Sequence, residues 1–311
     1  MELVRTIQEE VLERLGRVGV AARHAVESVL SGQHRSIRHG LSVEFAGHRP
    51  YIPGDDLRHL DWLVYARTDR YDVRVYEEET RLRATLVVDC SGSMAFGDAS
   101  SPTSRGEHLT KLDYARMLAA ALGFLMARNS DSVGLSLCDS RVREHHPPRS
   151  TMGHLLTLFG RLESVEPGGE TSLAAVLDEL ASRMTRRGLV VLISDLFDDA
   201  ESLVLALKHL RHKRQDIRVF QVVDPQEESF PFKGTWEFVG LEGEGRLRLD
   251  GDRIRRRYQQ ALAEHRGRIA SGCHAAGISF EVCRTDEDLA MVLVRALAAT
   301  RKSPVREGVL R

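Results

Sequence analysis

Leu86-Val87-Val88-Asp89-Cys90-Ser91-Gly92-Ser93-Met94 is the stretch on which the fold turns. Its apolar, largely β-branched start reads as a strand, and the Asp, Ser and Gly that follow stop it in a loop. Downstream, Leu189-Val190-Val191-Leu192-Ile193 is apolar at every position and is followed by Ser194-Asp195. A strand with no polar side must be covered on both faces, the condition of a central strand in a parallel sheet.

Working outward, apolar strands alternate with amphipathic helices. Strands are expected at Thr85–Asp89, Ser132–Cys138, Leu189–Ser194, Ile217–Val223 and Ile278–Cys283, and helices at 111–128, 151–163, 172–185, 201–213, 252–272 and 286–299. This order predicts an α/β fold, a doubly wound and mostly parallel Rossmann-like sheet. Residues 226–250 break the rhythm with Trp236, Phe238, Val239 and the glycines 240, 243 and 245, which suggests a β-hairpin insertion. Helical spacing at 3–15 and 20–31 opens the chain, and 33–80 is a short-strand and loop segment dense in Arg, Asp, His and aromatics, with alternation at Val73 and Val75. The expected organisation is an N-terminal module over 1–81, the α/β domain over 82–300 and a frayed tail over 301–311.

Composition narrows the classes. The 311 residues, 42% apolar and 29% charged, contain no apolar run near the roughly 20 residues that cross a bilayer, so no membrane span is expected. The first fifteen residues mix Glu9, Glu10 and Glu13 with Arg5 and Arg14, unlike a secretory leader, and a cytoplasmic location is the expectation. A formal charge of −1 gives no electrostatic surplus for phosphate backbones, so nucleic acid is not the expected partner. Cys90, Cys138, Cys273 and Cys283 lie far apart without a C-x-x-C pair and read as buried free thiols rather than disulfides or a zinc site.

The loop after the first strand carries chemistry. Asp89, Ser91 and Ser93 stand at alternate positions at the carboxyl end of a strand, where open α/β sheets bind ligands, and oxygen-only ligation selects a hard cation: Mg²⁺, or Mn²⁺ or Ca²⁺. Thr171, in Gly168-Gly169-Glu170-Thr171-Ser172-Leu173, and Asp195 complete the candidate set. Singly, each has an ordinary explanation, Thr171 as a helix N-cap and Asp195 as a strand-end turn residue. Other templates fail. Asp89 stands where a G-x-S-x-G elbow needs its first glycine, no G-x-x-x-x-G-K-[ST] loop is present, and His145, His146, His34, His39, His48 and His59 lack metal spacing.

All five residues together, in this order, resemble the metal-ion-dependent adhesion site of von Willebrand factor A domains, over roughly residues 82–299. That resemblance implies that Ser91 and Ser93 ligate the ion directly, that Thr171 joins in one conformational state, and that Asp89 and Asp195 act directly or through water. An ion held mainly by neutral hydroxyls keeps much of its charge and seeks a further anion. An Asp or Glu carboxylate of another protein can supply it, which implies binding rather than catalysis. The alternative is a metal-dependent phosphatase or hydrolase of similar topology, which would want a second acid where Ser91 stands.

The stretch Gly32-Gln33-His34-Arg35-Ser36, then Gly40-Leu41-Ser42-Val43-Glu44-Phe45, then Arg49-Pro50-Tyr51-Ile52-Pro53-Gly54-Asp55-Asp56-Leu57-Arg58-His59-Leu60-Asp61-Trp62, with Ala66-Arg67 and Glu77-Glu78-Glu79, resembles the bacterial family catalogued as domain of unknown function 58. It departs at Leu63, where an Asn is expected, and at Gly92, where Ala is more usual. Proteins of this kind are associated with AAA+ ATPases of the MoxR type, so the resemblance implies a non-enzymatic adaptor for such an ATPase or its client. Asp55, Asp56, Arg58, Asp61 and Arg67 are dense enough to suggest an ion-pair network, and Arg35, Arg38 and Arg49 suit a docking face.

Overall fold

The computed structural model describes residues 17–32, 45–52, 60–76, 82–97 and 109–300. The expected helix over 3–15, the tail over 301–311, and Arg35, Arg38, Asp55, Asp56 and Arg58 lie outside them. Contacts divide the chain into two units, Met1–Val29 with Leu82–Arg311, and Leu30–Arg81. Helix α1, Arg17–Gly32, buries Val18, Ala22, Ala25, Val26 and Val29 along one stripe.

In the smaller unit, β1 (Phe45–Pro50) pairs antiparallel with β2 (Asp72–Tyr76). A short helix α2, Trp62–Thr68, lies between them. Asp61 is buried and caps it, its Oδ1 accepting from the Val64 N–H at 3.3 Å. Tyr65 stacks on Tyr71 with ring centroids 4.6 Å apart. Asp61 thus works as a cap, while Arg67 is exposed.

The larger unit is built on a six-stranded sheet in the order β10-β7-β6-β3-β4-β5. Its strands are β3 (Arg83–Asp89), β4 (Ser132–Cys138), β5 (Val142–Arg149), β6 (Gly188–Ser194), β7 (Gln215–Val223) and β10 (Ser279–Arg284). All pairings are parallel except that of β5 with β4. Helices α3 (Lys111–Arg128), α4 (Met152–Ser164) and α9 (Leu289–Thr300) form one layer; α5 (Leu173–Arg183), α6 (Ala200–His212) and α8 (Gly251–Ala275) form the other. Val87, Val190, Leu192 and Val219 meet Leu177, Leu203, Leu207 and Ile269 in the second layer's core. Each such fully buried side chain contributes ~1.5–3 kcal/mol of transfer free energy. The α/β, doubly wound and mostly parallel fold is as the alternation of strands and helices implied.

Two parts of this unit were not legible as elements. The edge strand β5 contains His145-His146-Pro147-Pro148, which has no apolar alternation; an edge is where a sheet tolerates proline. Helix α7, Pro225–Ser229, is a single capped turn. The hairpin expected within 226–250 is present as β8 (Thr235–Val239) and β9 (Arg246–Asp250), paired antiparallel. Phe230, Phe232, Phe238 and Tyr258 of α8 pack ring on ring beneath it. No helix among the described residues is long and apolar enough to cross a membrane.

Candidate metal centre

The strand order sets the site. From β3 the chain moves to β4 on one side, and β6 returns to the other side of β3. The crevice between the carboxyl ends of β3 and β6 is therefore the topological switch point of the sheet. Asp89 ends β3 and Asp195 follows β6 directly, so both carboxylates arrive there.

Asp89 is fully buried. Its Oδ1 accepts from the Ser91 N–H at 2.9 Å and its Oδ2 from the Ser194 hydroxyl at 2.6 Å. Burial, with the nearby charge of Asp195 adding to it, pushes the Asp89 carboxyl up to about 7 against the pull of those hydrogen bonds. A carboxylate so short of positive charge is suited to a cation.

The loop after β3 turns through a short 3₁₀ segment, Gly92–Ala95, with Ser91 fully buried at its start and Ser93 half-buried. Ser91 Oγ and Ser93 Oγ are 3.1 Å apart. A second loop is zipped to the first: the Gly92 N–H donates to the Gly169 carbonyl and the Gly168 N–H to the Cys90 carbonyl, both at 2.9 Å. Gly169 has φ +79°, which suits a residue without Cβ. Arg143 steadies this second loop, donating to the Asp139 carboxylate at 2.6 Å, to the Glu166 carbonyl at 2.8 Å and to the Gly168 carbonyl.

This pairing brings Thr171 to the serines. Thr171 is not the N-cap of α5. That position belongs to Ser172, and the helix's Ala174 N–H is met by Asp198 instead. The Thr171 hydroxyl donates to Glu242 Oε1 at 2.6 Å, and its N–H to Glu242 Oε2 at 2.8 Å; the Ser93 N–H reaches Oε1 at 3.2 Å. Glu242 stands at the tip of the β8–β9 hairpin. Burial raises its pKa, but the hydrogen bonds from Thr171 and Ser93 outweigh that and hold the carboxyl below its ordinary value.

Asp195 is placed differently. Its carboxylate is buried and turned onto Lys111, with Oδ2 2.7 Å from Nζ, while its Oδ1 accepts from the Phe197 N–H at 3.3 Å. Lys111 Nζ also donates to Glu227 at 2.6 Å and lies over the rings of Phe96 and Phe197, at 5.6 and 4.8 Å from their centroids. Burial pulls the Lys111 pKa down, but Asp195 and Glu227 together hold it above the ordinary value.

The three hydroxyls of Ser91, Ser93 and Thr171 are thus gathered in two interlocked loops beside Asp89, and Asp195 is near but engaged elsewhere. Among the described residues no group of three or more His, Cys, Asp or Glu converges on one point. A site of hydroxyls and few carboxylates is not such a group. Its donors are all oxygen, and that chemistry fits a hard divalent cation. Glu242, Lys111, Glu227, Ser194 and Arg143 belong to this site and were not read from the sequence.

A family model described as Protein of unknown function DUF58 matches residues 47–268. Rv1480 of Mycobacterium tuberculosis, an uncharacterized protein, is 28% identical over 289 residues, which cover 91% of this chain and 87% of that protein. Mb1516 of Mycobacterium bovis, also uncharacterized, matches to the same extent. Among solved structures, the conserved hypothetical protein BatB from Bacteroides thetaiotaomicron is similar with a TM-score of 0.45 at 16% identity, over 71% of this chain and 98% of that one. The SpRpn10 VWA domain is similar with a TM-score of 0.38 at 13% identity, over 74% and 100%.

Proposed function

This chain belongs to the DUF58 family, and from that premise we propose that it is a non-enzymatic, divalent-cation-dependent protein-binding module, an adaptor for a MoxR-type AAA+ ATPase or its client. The observation that carries the reading is the seat formed by Ser93 and Thr171, whose N–H groups and hydroxyl already hold a carboxylate, that of Glu242. A pocket that takes one carboxylate from a loop can take another from a partner.

Mg²⁺ is the expected ion, with Mn²⁺ or Ca²⁺ as alternatives. Ser91, Ser93 and Thr171 would hold it with Asp89 and Asp195 in support, and when bound it supplies unquenched positive charge for an acidic side chain. The protein's own contribution is positional. The Ser194 hydroxyl fixes the Asp89 carboxylate, and the two interlocked loops fix the three hydroxyls. No nucleophile or general base is required of them. Four buried free thiols suit a reducing compartment, and the cytoplasm, where an ATPase finds its ATP, is the proposed location.

The deciding experiment is association with the MoxR-type ATPase of the same organism, followed by sedimentation velocity in Mg²⁺ and in EDTA with ATP present. The reading expects a complex in Mg²⁺ that EDTA or Asp89→Ala removes. Equal association in both conditions rejects metal-dependent recognition, and no complex in either rejects the adaptor role.

A further inference from the structure

Glu242 is held from two loops remote from it in sequence, by partners 149 and 71 residues away. The approach is close along the whole tip. A Cβ placed on Gly92 would stand 2.1 Å from the Leu241 carbonyl oxygen and 3.2 Å from Glu242 Cγ, so the backbone of the hairpin turn rests directly on the loop that carries Ser91 and Ser93. Only glycine at position 92 permits this seating.

The hairpin is also built to leave. It has only two strands of five residues, and Trp236, Val239, Leu241 and Leu247 on it are exposed. Its aromatic packing runs along one face of β8 as far as Phe238, which lies on Phe230 and Phe232, whereas the tip beyond turns through Gly243 and Gly245 at φ +95° and +90°. One packed face, an exposed tip at Val239, Leu241 and Leu247 and a glycine turn are the features of an element whose tip can open about the Phe238 anchor and whose closed position depends on its tip contacts.

Resting on the reading of this cluster as a carboxylate seat, we propose that the β8–β9 hairpin is a self-closing lid: in the resting protein Glu242 occupies the seat, and an outside Asp or Glu must displace it to bind. The tether gives Glu242 an effective concentration on the order of millimolar, so a lone weak carboxylate cannot compete with it. Entry is reserved for an acidic partner segment that binds multivalently or engages the exposed side of the hairpin as well.

The test uses the full chain and two variants that open the lid by different means, Glu242→Ala by removing the occupant and Gly92→Ala by wedging the turn away. Amide hydrogen exchange at Ser93 and Thr171 is measured first. These two amides should be slow in the wild type and exchange roughly tenfold faster or more in both variants, with protection of β3 and β6 unchanged. Binding of a hexaglutamate peptide in Mg²⁺ should then strengthen by roughly tenfold in both variants. Equal exchange in all three proteins overturns the lid, whatever the peptide does. Freed amides with equal peptide affinity overturn the competition for the seat. Freed amides with no peptide bound by any of the three leave the closed lid standing and reject the carboxylate-seat reading of the function, so the two failures are told apart.

Discussion

Lys111 and Asp195 meet in the interior with Nζ 2.7 Å from Oδ2, joining the start of α3 to the end of β6 across 84 residues of sequence. The pairing is needed on both sides. Lys111 is the first residue of a helix capped by Thr110, where the helix dipole disfavours a cation, and its side chain is fully buried. Asp195 and Glu227 compensate that cost, and Lys111 in turn spares the switch point two uncompensated carboxylates.

Lys111→Met should therefore lower the unfolding free energy by roughly 3–5 kcal/mol, because it strands two buried acids. Adding Glu227→Gln to it should recover part of the loss. Urea denaturation in EDTA measures both. A single variant within about 0.5 kcal/mol of wild type would mean that the triad contributes nothing net to the fold.

The Asp89 carboxyl is raised to about 7 in the folded chain by burial and by Asp195, whereas an unfolded Asp titrates near its ordinary value. Here the folded state binds the proton more tightly. The contribution is thus fully present at low pH, below the unfolded pKa, and is lost as pH rises through the unfolded value toward 7. Without metal, wild-type stability should fall by a few kcal/mol between pH 4 and pH 7, and Asp89→Asn should show a shallower decline. Added Mg²⁺ should restore stability at pH 7.5. Parallel pH profiles for the two proteins would place the titration elsewhere.

The sheet was legible because its signal is local. Runs such as Val190 to Ile193 declare burial on both faces, and Asp89, Ser91 and Ser93 sit within five residues of one strand end. What escaped reading is what distant segments decide. Lys111 looks in sequence like a solvent-facing residue at a helix start, and nothing near it names Asp195 or Glu227. Glu242 lies in a Gly- and Glu-rich turn whose composition reads as solvated, yet its partners are Ser93 and Thr171. Asp195 directly follows β6, as the expected strand Leu189–Ser194 implies, but nothing in the sequence shows that its carboxylate faces Lys111.

The four thiols should be inert in the native protein. Burial, with the charge of Asp89 added, pushes Cys90 up to about 12, and burial raises Cys273 to about 11 and Cys138 and Cys283 well above the ordinary thiol value. A disulfide-exchange reagent at pH 8 should label none of them within minutes and all of them in denaturant, since the thiolate is the reactive species. Rapid native labelling of one thiol would show local opening at that strand or helix.

The serines at the switch point divide into two roles that mutation can separate. Ser194 is buried, donates to Asp89 Oδ2 at 2.6 Å and accepts from the Leu196 N–H at 2.8 Å. Removing its hydroxyl leaves a buried carboxylate oxygen and a buried amide without that partner, so Ser194→Ala should cost about 1–3 kcal/mol of stability in the absence of metal. Ser91 Oγ and Ser93 Oγ instead face each other at 3.1 Å beside the seat, and Ser93 is only half-buried. Replacing both with Ala removes that contact together with the side-chain hydrogen bonds of Ser91 to Asp89 and of Ser93 to Glu242, at about 1–3 kcal/mol. The same double variant should abolish Mn²⁺ binding, read by titration calorimetry or by the paramagnetic relaxation of solvent water. Ser194→Ala should retain binding with reduced affinity, because its Asp89 is still present but no longer fixed. If the double variant binds Mn²⁺ like the wild type, the hydroxyls are not ligands and the cation site must be sought elsewhere. If it unfolds in EDTA at the temperature where wild type is native, the serines are structural residues and their place in the metal centre is lost with that finding.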